Sequence, residues 1–256
     1  MVYGPLVDPF IGMAHALSRT ERLKVGTGVS VLPGRQPVLV AKQLASLAGL
    51  APRRVLPVFG LRPARPAERA LFPVPGPRDE VFDESLQLLR LLLTQDSVSL
   101  RGRFFTVDGA SVGPLPAKPL DIWLGGSAPG ALRRVGRFAD GWLASFITPA
   151  EAAAGRAAIK EAAAAAGREV EEDHYGISLA VATEGMPDAL IAAARERRPD
   201  AVPASLVAVS WPDARRMIGE YVDAGLTKFV IRAADPRSSF GAFLDRFAAE
   251  MMPLQT

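Results

Sequence analysis

The sequence predicts an α/β fold built from βα units around a parallel sheet. Three observations carry this. Short β-branched runs alternate with amphipathic helical stripes along the chain, and that alternation implies parallel strands joined by helical crossovers. The length, 256 residues, matches the roughly 250 of one TIM-type (β/α) barrel. No linker or repeat divides the chain, so residues 1–256 read as a single domain.

The elements follow in order. Phe10, Met13, Ala14 and Leu17 repeat at helical spacing. Leu23, Val25, Thr27, Val29 and Val31 alternate as one strand that ends at Pro33. Pro37 opens a helix with Ala41, Leu44, Ala45 and Ala48 on one face. Arg54 to Gly60 is a second strand, blemished by Pro57, which has no ladder N–H. The Pro-rich stretch from Arg62 to Arg78 is a long βα loop, and such loops carry function on this architecture. Asp79 to Leu93 is a helix holding Phe82, Leu86, Leu89 and Leu93. Ser97 to Leu100 and Phe104 to Val107, joined by Arg101-Gly102-Arg103, form an inserted β-hairpin.

Asp121 to Gly126 is a third strand, and Ser127 with Pro129 starts a helix whose Leu132 and Val135 face inward. Gly141 to Phe146 is a fourth strand. Thr148-Pro149-Ala150-Glu151 is a capping box opening an alanine-rich helix that ends near Gly167. Ile177, Leu179 and Val181 alternate in a fifth strand. Ala214, Met217, Ile218, Tyr221 and Val222 form a stripe stopped by Gly225. Lys228 to Ile231 is the sixth strand, and Phe240, Phe243, Leu244, Phe247 and Met251 form the last stripe.

Composition excludes several functions. Apolar residues at 49% against charged residues at 22% give an ordinary globular balance, with a net charge of only +3. The basic clusters, Arg195 with Arg197 and Arg198, and Arg62 with Arg65 and Arg69, contain no aromatic residues for base stacking. They read as solvated faces, with anion binding as the minor alternative, and no nucleic-acid partner is expected. With no cysteine and two histidines, disulfides, thiol nucleophiles and a zinc site are not expected. No early basic residue marks a signal peptide, and no uncharged apolar run approaches the ~20 residues of a membrane span. A cytoplasmic location fits these features.

Several segments resemble a known family. Thr20-Glu21-Arg22-Leu23-Lys24-Val25-Gly26-Thr27-Gly28-Val29 is similar to the third-strand signature of the luciferase-like flavin and deazaflavin oxidoreductases. Pro37 to Leu47 resembles its next helix, and Glu84 to Leu93 with Arg101-Gly102-Arg103-Phe104-Phe105 its long helix and hairpin. Ile122 to Ser127, Ala131 to Arg134 and Ala139 to Trp142 resemble one continuous block, and Tyr221 to Leu226 the approach to the last strand. The resemblance implies a TIM barrel binding coenzyme F-420 or FMN at the C-terminal ends of its strands. Members move hydride between that cofactor and a small organic substrate, or act as FMN-dependent monooxygenases. A homodimer is expected by the same analogy.

The resemblance also points to site residues. In deazaflavin members the bond matching Gly28–Val29 is a non-proline cis peptide that bulges behind the ring, and this signature favours F-420 over FMN. Gly26 and Gly28 equally suit close strand packing. Gly125-Gly126-Ser127 follows a strand and opens a helix, where free N–H groups and the helix dipole favour a cofactor phosphate. Ser145, Thr148 or Arg232 at neighbouring strand ends would assist. The alternative there is a tight turn with Ser127 as N-cap. Asp140 and Trp142 read as structural, lying away from the chemistry, and His15 and His174 as surface or packed residues. No catalytic acid or base stands out.

Two departures qualify the match. The six strands counted here fall short of the eight of a full barrel, a deficit of about 60 residues at the N-terminal side. The family's glycine-rich run after the next strand is here Val58-Phe59-Gly60-Leu61-Arg62, so Gly60 stays while Arg62 stands for a glycine that lets the cofactor approach. Arg62 could pair with an acidic group or block the pocket. The competing expectation is therefore a non-catalytic, degenerate barrel or partner subunit.

Overall fold

The structure is a computed structural model, and it describes residues 7–63, 66–182, 185–234 and 239–255. Arg65 of the looser basic cluster lies outside the described residues. In chain order the elements are α1 (Pro9–Ser18), β1 (Val25–Gly26), β2 (Ser30–Val31), α2 (Pro37–Leu50), β3 (Val55–Leu56), β4 (Val58–Gly60), α3 (Arg78–Thr94), β5 (Val98–Arg101), β6 (Thr106–Ala110), β7 (Trp123–Gly125), α4 (Pro129–Phe138), β8 (Gly141–Ser145), α5 (Pro149–Ala165), β9 (Tyr175–Val181), α6 (Asp188–Arg197), β10 (Val207–Ala208), α7 (Trp211–Asp223), β11 (Lys228–Ala233) and α8 (Phe240–Glu250).

The strands are parallel apart from the β5–β6 hairpin. Pairing runs from β2 through β4, β7 and β8 to β9, and β10 and β11 both pair β9. The order ends at β2 on one side and at β10 and β11 on the other, and among the described residues β2 pairs neither of them. The barrel is therefore open, and the fold is that of an incomplete TIM barrel.

Two expected strands are broken, and one side chain joins the breaks. The first expected strand divides into β1 and β2 around residues 27–29, and the second into β3 and β4 around Pro57. Thr27 Oγ1 donates to the Val58 carbonyl at 2.6 Å and accepts from Val58 N–H at 2.9 Å. This buried hydroxyl supplies the ladder contacts that the backbone lacks at both interruptions.

The core lies between the sheet's outer face and the helices. Phe59, Leu124, Ala144, Ile177 and Leu179 from the strands pack with Leu44, Leu89, Val135, Ile159 and Tyr221 from the helices. Alternation then turns the intervening residues to the concave face. There Val58, Trp123 and Leu143 form a small plug.

Three sequence expectations change. Ala14 is exposed, so α1 buries Phe10, Met13 and Leu17 alone. The last stripe is only partly inward: Phe243 and Met251 are buried, whereas Phe240 and Leu244 are exposed. Helix α6 and strand β10 were not legible as elements.

Candidate functional site

The concave face ends at the C-terminal tips of the strands, and small residues gather there. Gly60 ends β4 and Gly125 ends β7. A Cβ on Gly60 would lie 2.6 Å from Val29 Cγ2, and one on Gly125 would lie 2.8 Å from Val29 Cγ1. Val29 thus rests in a notch that only two glycines can provide. Its upper side remains open, with the residue 43% exposed. The peptide joining it to Gly28 is the non-proline cis bond that the resemblance implies. Four expected residues, Gly28, Val29, Gly60 and Gly125, therefore come together as one floor.

The wall beside this floor is polar. Ser145 ends β8, is exposed, and sits in register with Ser178 of β9. Arg232 of β11 donates from Nε to Ser178 Oγ at 2.8 Å. Burial first, and the nearby charge of Arg197 second, hold the Arg232 pKa below its ordinary value. Ser178 carried no sequence signal, and Arg197 was legible only as part of the Arg195-Arg197-Arg198 cluster; they adjoin the site through strand pairing and the placement of α6.

The remaining expected residues lie on the outer side of the rim. Gly126 turns the chain with φ +106°. Ser127 is exposed and is not the N-cap of α4; that position is Ala128, with no side-chain cap. The correction follows from Pro129, which sets the first helical turn one residue later than a serine cap needs. An open groove of about 850 Å³ begins here, lined by Ser127, Leu132, Arg133, Trp142, Glu151 and Arg198 among others. Thr148 starts α5 beside it, but its hydroxyl donates to Glu151 Oε2 at 3.0 Å in the capping box.

The groove is fastened by two contacts. Trp142 Nε1 donates to the Gly126 carbonyl at 2.7 Å, so this buried indole reaches the glycine loop from the outer face of the sheet. Sequence reading placed Trp142 away from the site because only its backbone position was legible. Arg198 bridges Glu151 and Asp200, both at 2.7 Å from Nη2, and donates to the Phe146 carbonyl. The hydrogen bond from Arg198 is the main reason the Glu151 carboxyl lies below its usual pKa.

Other candidates resolve as structural. Asp140 receives Arg90, Arg168 and the Ile122 N–H, which braces the opposite end of the sheet. His174 is half-buried there, 5.5 Å from the Trp123 ring between centroids, and His15 is exposed. Arg62 is exposed, and its charge, with that of Arg69, bears on Arg78. Among the described residues no helix is long and apolar enough to cross a membrane.

Comparison with known proteins agrees with this geometry. The family model described as luciferase-like monooxygenase matches residues 1–206. An uncharacterized protein of Mycobacterium tuberculosis is 38% identical over 140 residues, 54% of this chain and 48% of its own length. The chain thus spans about half of that relative. An F420-dependent glucose-6-phosphate dehydrogenase of Beutenbergia cavernae is 28% identical across 98% of this chain and 83% of that protein. Among solved structures, an F420-dependent secondary alcohol dehydrogenase in complex with an F420-acetone adduct superimposes with a TM-score of 0.80 at 17% identity. That superposition covers 98% of this chain and 85% of the other. EDTA monooxygenase from Chelativorans sp. gives 0.76 at 17%, covering 97% and 77%. At such identities the structural likeness speaks to the fold.

Proposed function

The chain belongs to the luciferase-like monooxygenase family, and from that premise we propose that it is an oxidoreductase binding coenzyme F-420, in preference to FMN, at the mouth of its strands. It moves hydride between the ring and a small organic substrate. The observation that carries this reading is the glycine notch under Val29, a flat floor with space above it at the catalytic end of a barrel. The dehydrogenase relatives support F-420 over FMN. FMN with monooxygenase chemistry is the variant reading, supported by the family's description.

The residues present fit such a ring. Val29 offers an apolar surface for one face, resting over Gly60 and Gly125. Ser145 and Ser178 offer hydroxyls at the ring's edge. The Gly125-Gly126-Ser127 turn and the uncapped start of α4 offer N–H groups for a phosphate. When bound, the cofactor supplies the hydride chemistry; the chain's own task is orientation and electrostatics. The protein acts as one domain, and its exposed strand edges favour a homodimer. Freedom from cysteine suits the cytoplasm.

One observation favours a second reading. The sheet is open, and Val29 and Val230 are 43% and 44% exposed. A non-catalytic barrel or partner subunit would tolerate such exposure. A fluorescence titration with F-420 and, separately, FMN decides. Saturable micromolar binding of either supports the enzyme and selects the cofactor. No binding by a folded chain leaves the partner-subunit reading.

A further inference from the structure

Three acceptor atoms converge at the base of β9, on the loop that joins α5 to that strand. His174 Nε2 lies 3.6 Å from Glu171 Oε2 and 3.7 Å from Asp173 Oδ1. The three ligating atoms all fall within 4.8 Å of one another. A hydrogen bond from the His174 N–H to the Glu171 carbonyl closes the turn that brings these side chains together. The imidazole is fixed from behind. His174 Nδ1 is 2.8 Å from the Asp140 carbonyl oxygen, and a carbonyl only accepts, so Nδ1 carries a proton. In the neutral ring the lone pair therefore sits on Nε2, beside two carboxylates.

Converging acceptors call for a cation between them. A proton on Nε2 does not bridge the gap, because both separations exceed the ~2.7–3.2 Å of an N–H···O bond. Lys228 meets only the other oxygen of Asp173, Oδ2, at 3.2 Å. Glu172, between the two acids, pairs with Arg156 and Lys160 of α5 and takes no part. The spacing suits a metal ion. With bonds of ~2.0–2.2 Å to nitrogen and oxygen, neighbouring ligands of a tetrahedral ion stand roughly 3.3–3.6 Å apart.

We propose that His174, Glu171 and Asp173 bind a divalent transition-metal ion of the zinc class, with a fourth position left to water. The imidazole selects such an ion over magnesium, which prefers an all-oxygen set. The hydrogen bond from Nδ1 to the Asp140 carbonyl is the outer contact that metal-ligating histidines carry. Cysteines and paired histidines are lacking in the sequence, so the donor set is one imidazole and two carboxylates from a single loop. The place is the N-terminal end of the parallel strands, opposite the mouth, and the ion's task there is to brace. Asp140, whose carbonyl holds the imidazole, already receives Arg90 and Arg168, and Trp142 N–H of β8 donates to the His174 carbonyl. The ion extends that brace to the loop before β9.

The test titrates the untagged full chain, stripped with EDTA and dialysed, with zinc chloride by calorimetry. The variants are Glu171→Gln, Asp173→Asn and His174→Asn, with His15→Asn as the control at the other histidine. The expected result is a single saturable site in the wild type and in His15→Asn. Losing even an outer contact of a metal ligand costs about 10–100-fold in affinity, so each ligand variant should weaken binding about tenfold or more. Asparagine at position 174 keeps an amide donor for Asp140 while removing Nε2. Glu171 is exposed, so Glu171→Gln keeps the test decisive if His174→Asn does not fold. Circular dichroism checks each fold.

A second readout is spectroscopic. The Trp123 ring lies 5.5 Å from the His174 ring between centroids, so cobalt(II) in place of zinc should quench its emission in the wild type and not in Glu171→Gln. Excess magnesium should leave both signals unchanged. Neither measurement needs F-420 or FMN, so the result stands apart from the cofactor reading. No saturable zinc binding by the folded wild type, equal binding by the wild type and the ligand variants, or displacement of zinc by magnesium overturns the assignment.

Discussion

Val29 shows how one side chain depends on what its neighbours lack. Its two methyl carbons lie only 2.6 and 2.8 Å from where Gly60 and Gly125 would carry Cβ atoms. A methyl added at Gly60 must displace Val29 upward, because Gly125 closes the other direction. Gly60→Ala is therefore expected to raise the floor of the mouth. Overpacking of this kind costs about 1–3 kcal/mol of stability. Ring binding should weaken about tenfold, equivalent to ~1.4 kcal/mol. Fluorescence titration of the folded variant measures this. Cofactor affinity equal to the wild type would show that Val29 is not the floor. The glycines and Val29 were legible in the sequence only through family resemblance. Their mutual contact was not, because it joins three strands whose register no local pattern encodes.

At the scale of elements, local signals and tertiary ones separated clearly. The capping box of α5 formed as its four residues predict, since both of its hydrogen bonds are local. The β5–β6 hairpin also formed, but its tip needs a distant residue. Glu84 of α3 accepts from the N–H groups of Arg103, Phe104 and Phe105. Helix α6 was hidden because it buries only Ala194 and so has no apolar stripe. The same tertiary logic governs Glu151. Its carboxylate serves both the cap and Arg198, which lowers its folded pKa. A carboxylate lowered in this way stabilises the fold above its unfolded pKa, and the contribution disappears as pH falls through the folded value. Glu151→Gln keeps a capping amide but loses the charge. It should lower stability at pH 7 by up to about 1 kcal/mol, since the pair is partly exposed. The gap from the wild type should close below about pH 4. Thermal unfolding across pH checks this, and a gap independent of pH would assign the effect to packing.

For the whole molecule, the consequential feature is that the sheet stops without closing. The strand count legible in the sequence already fell short of a full barrel, and the pairing shows where the shortfall lies: β2 at one end of the order pairs neither β10 nor β11 at the other. Strand β11 carries Lys228 and Val230 exposed on its concave side, and Phe240 of α8 is 69% exposed. An unpaired edge offers a row of N–H and C=O groups, and apolar side chains next to it add a hydrophobic incentive for another strand to join. The chain should therefore self-associate as its concentration rises, through this edge. Val230→Lys places a third inward-pointing charge between Lys228 and Arg232 and should shift the equilibrium towards monomer. The core packed on the outer face, where Phe229 and Ile231 contribute, is left untouched. Sedimentation velocity over a concentration series would report both species. If wild type and variant associate equally, the contact lies elsewhere. If the wild type stays monomeric throughout, the Lys228 charge already protects the edge, and the open barrel is stable without a partner strand.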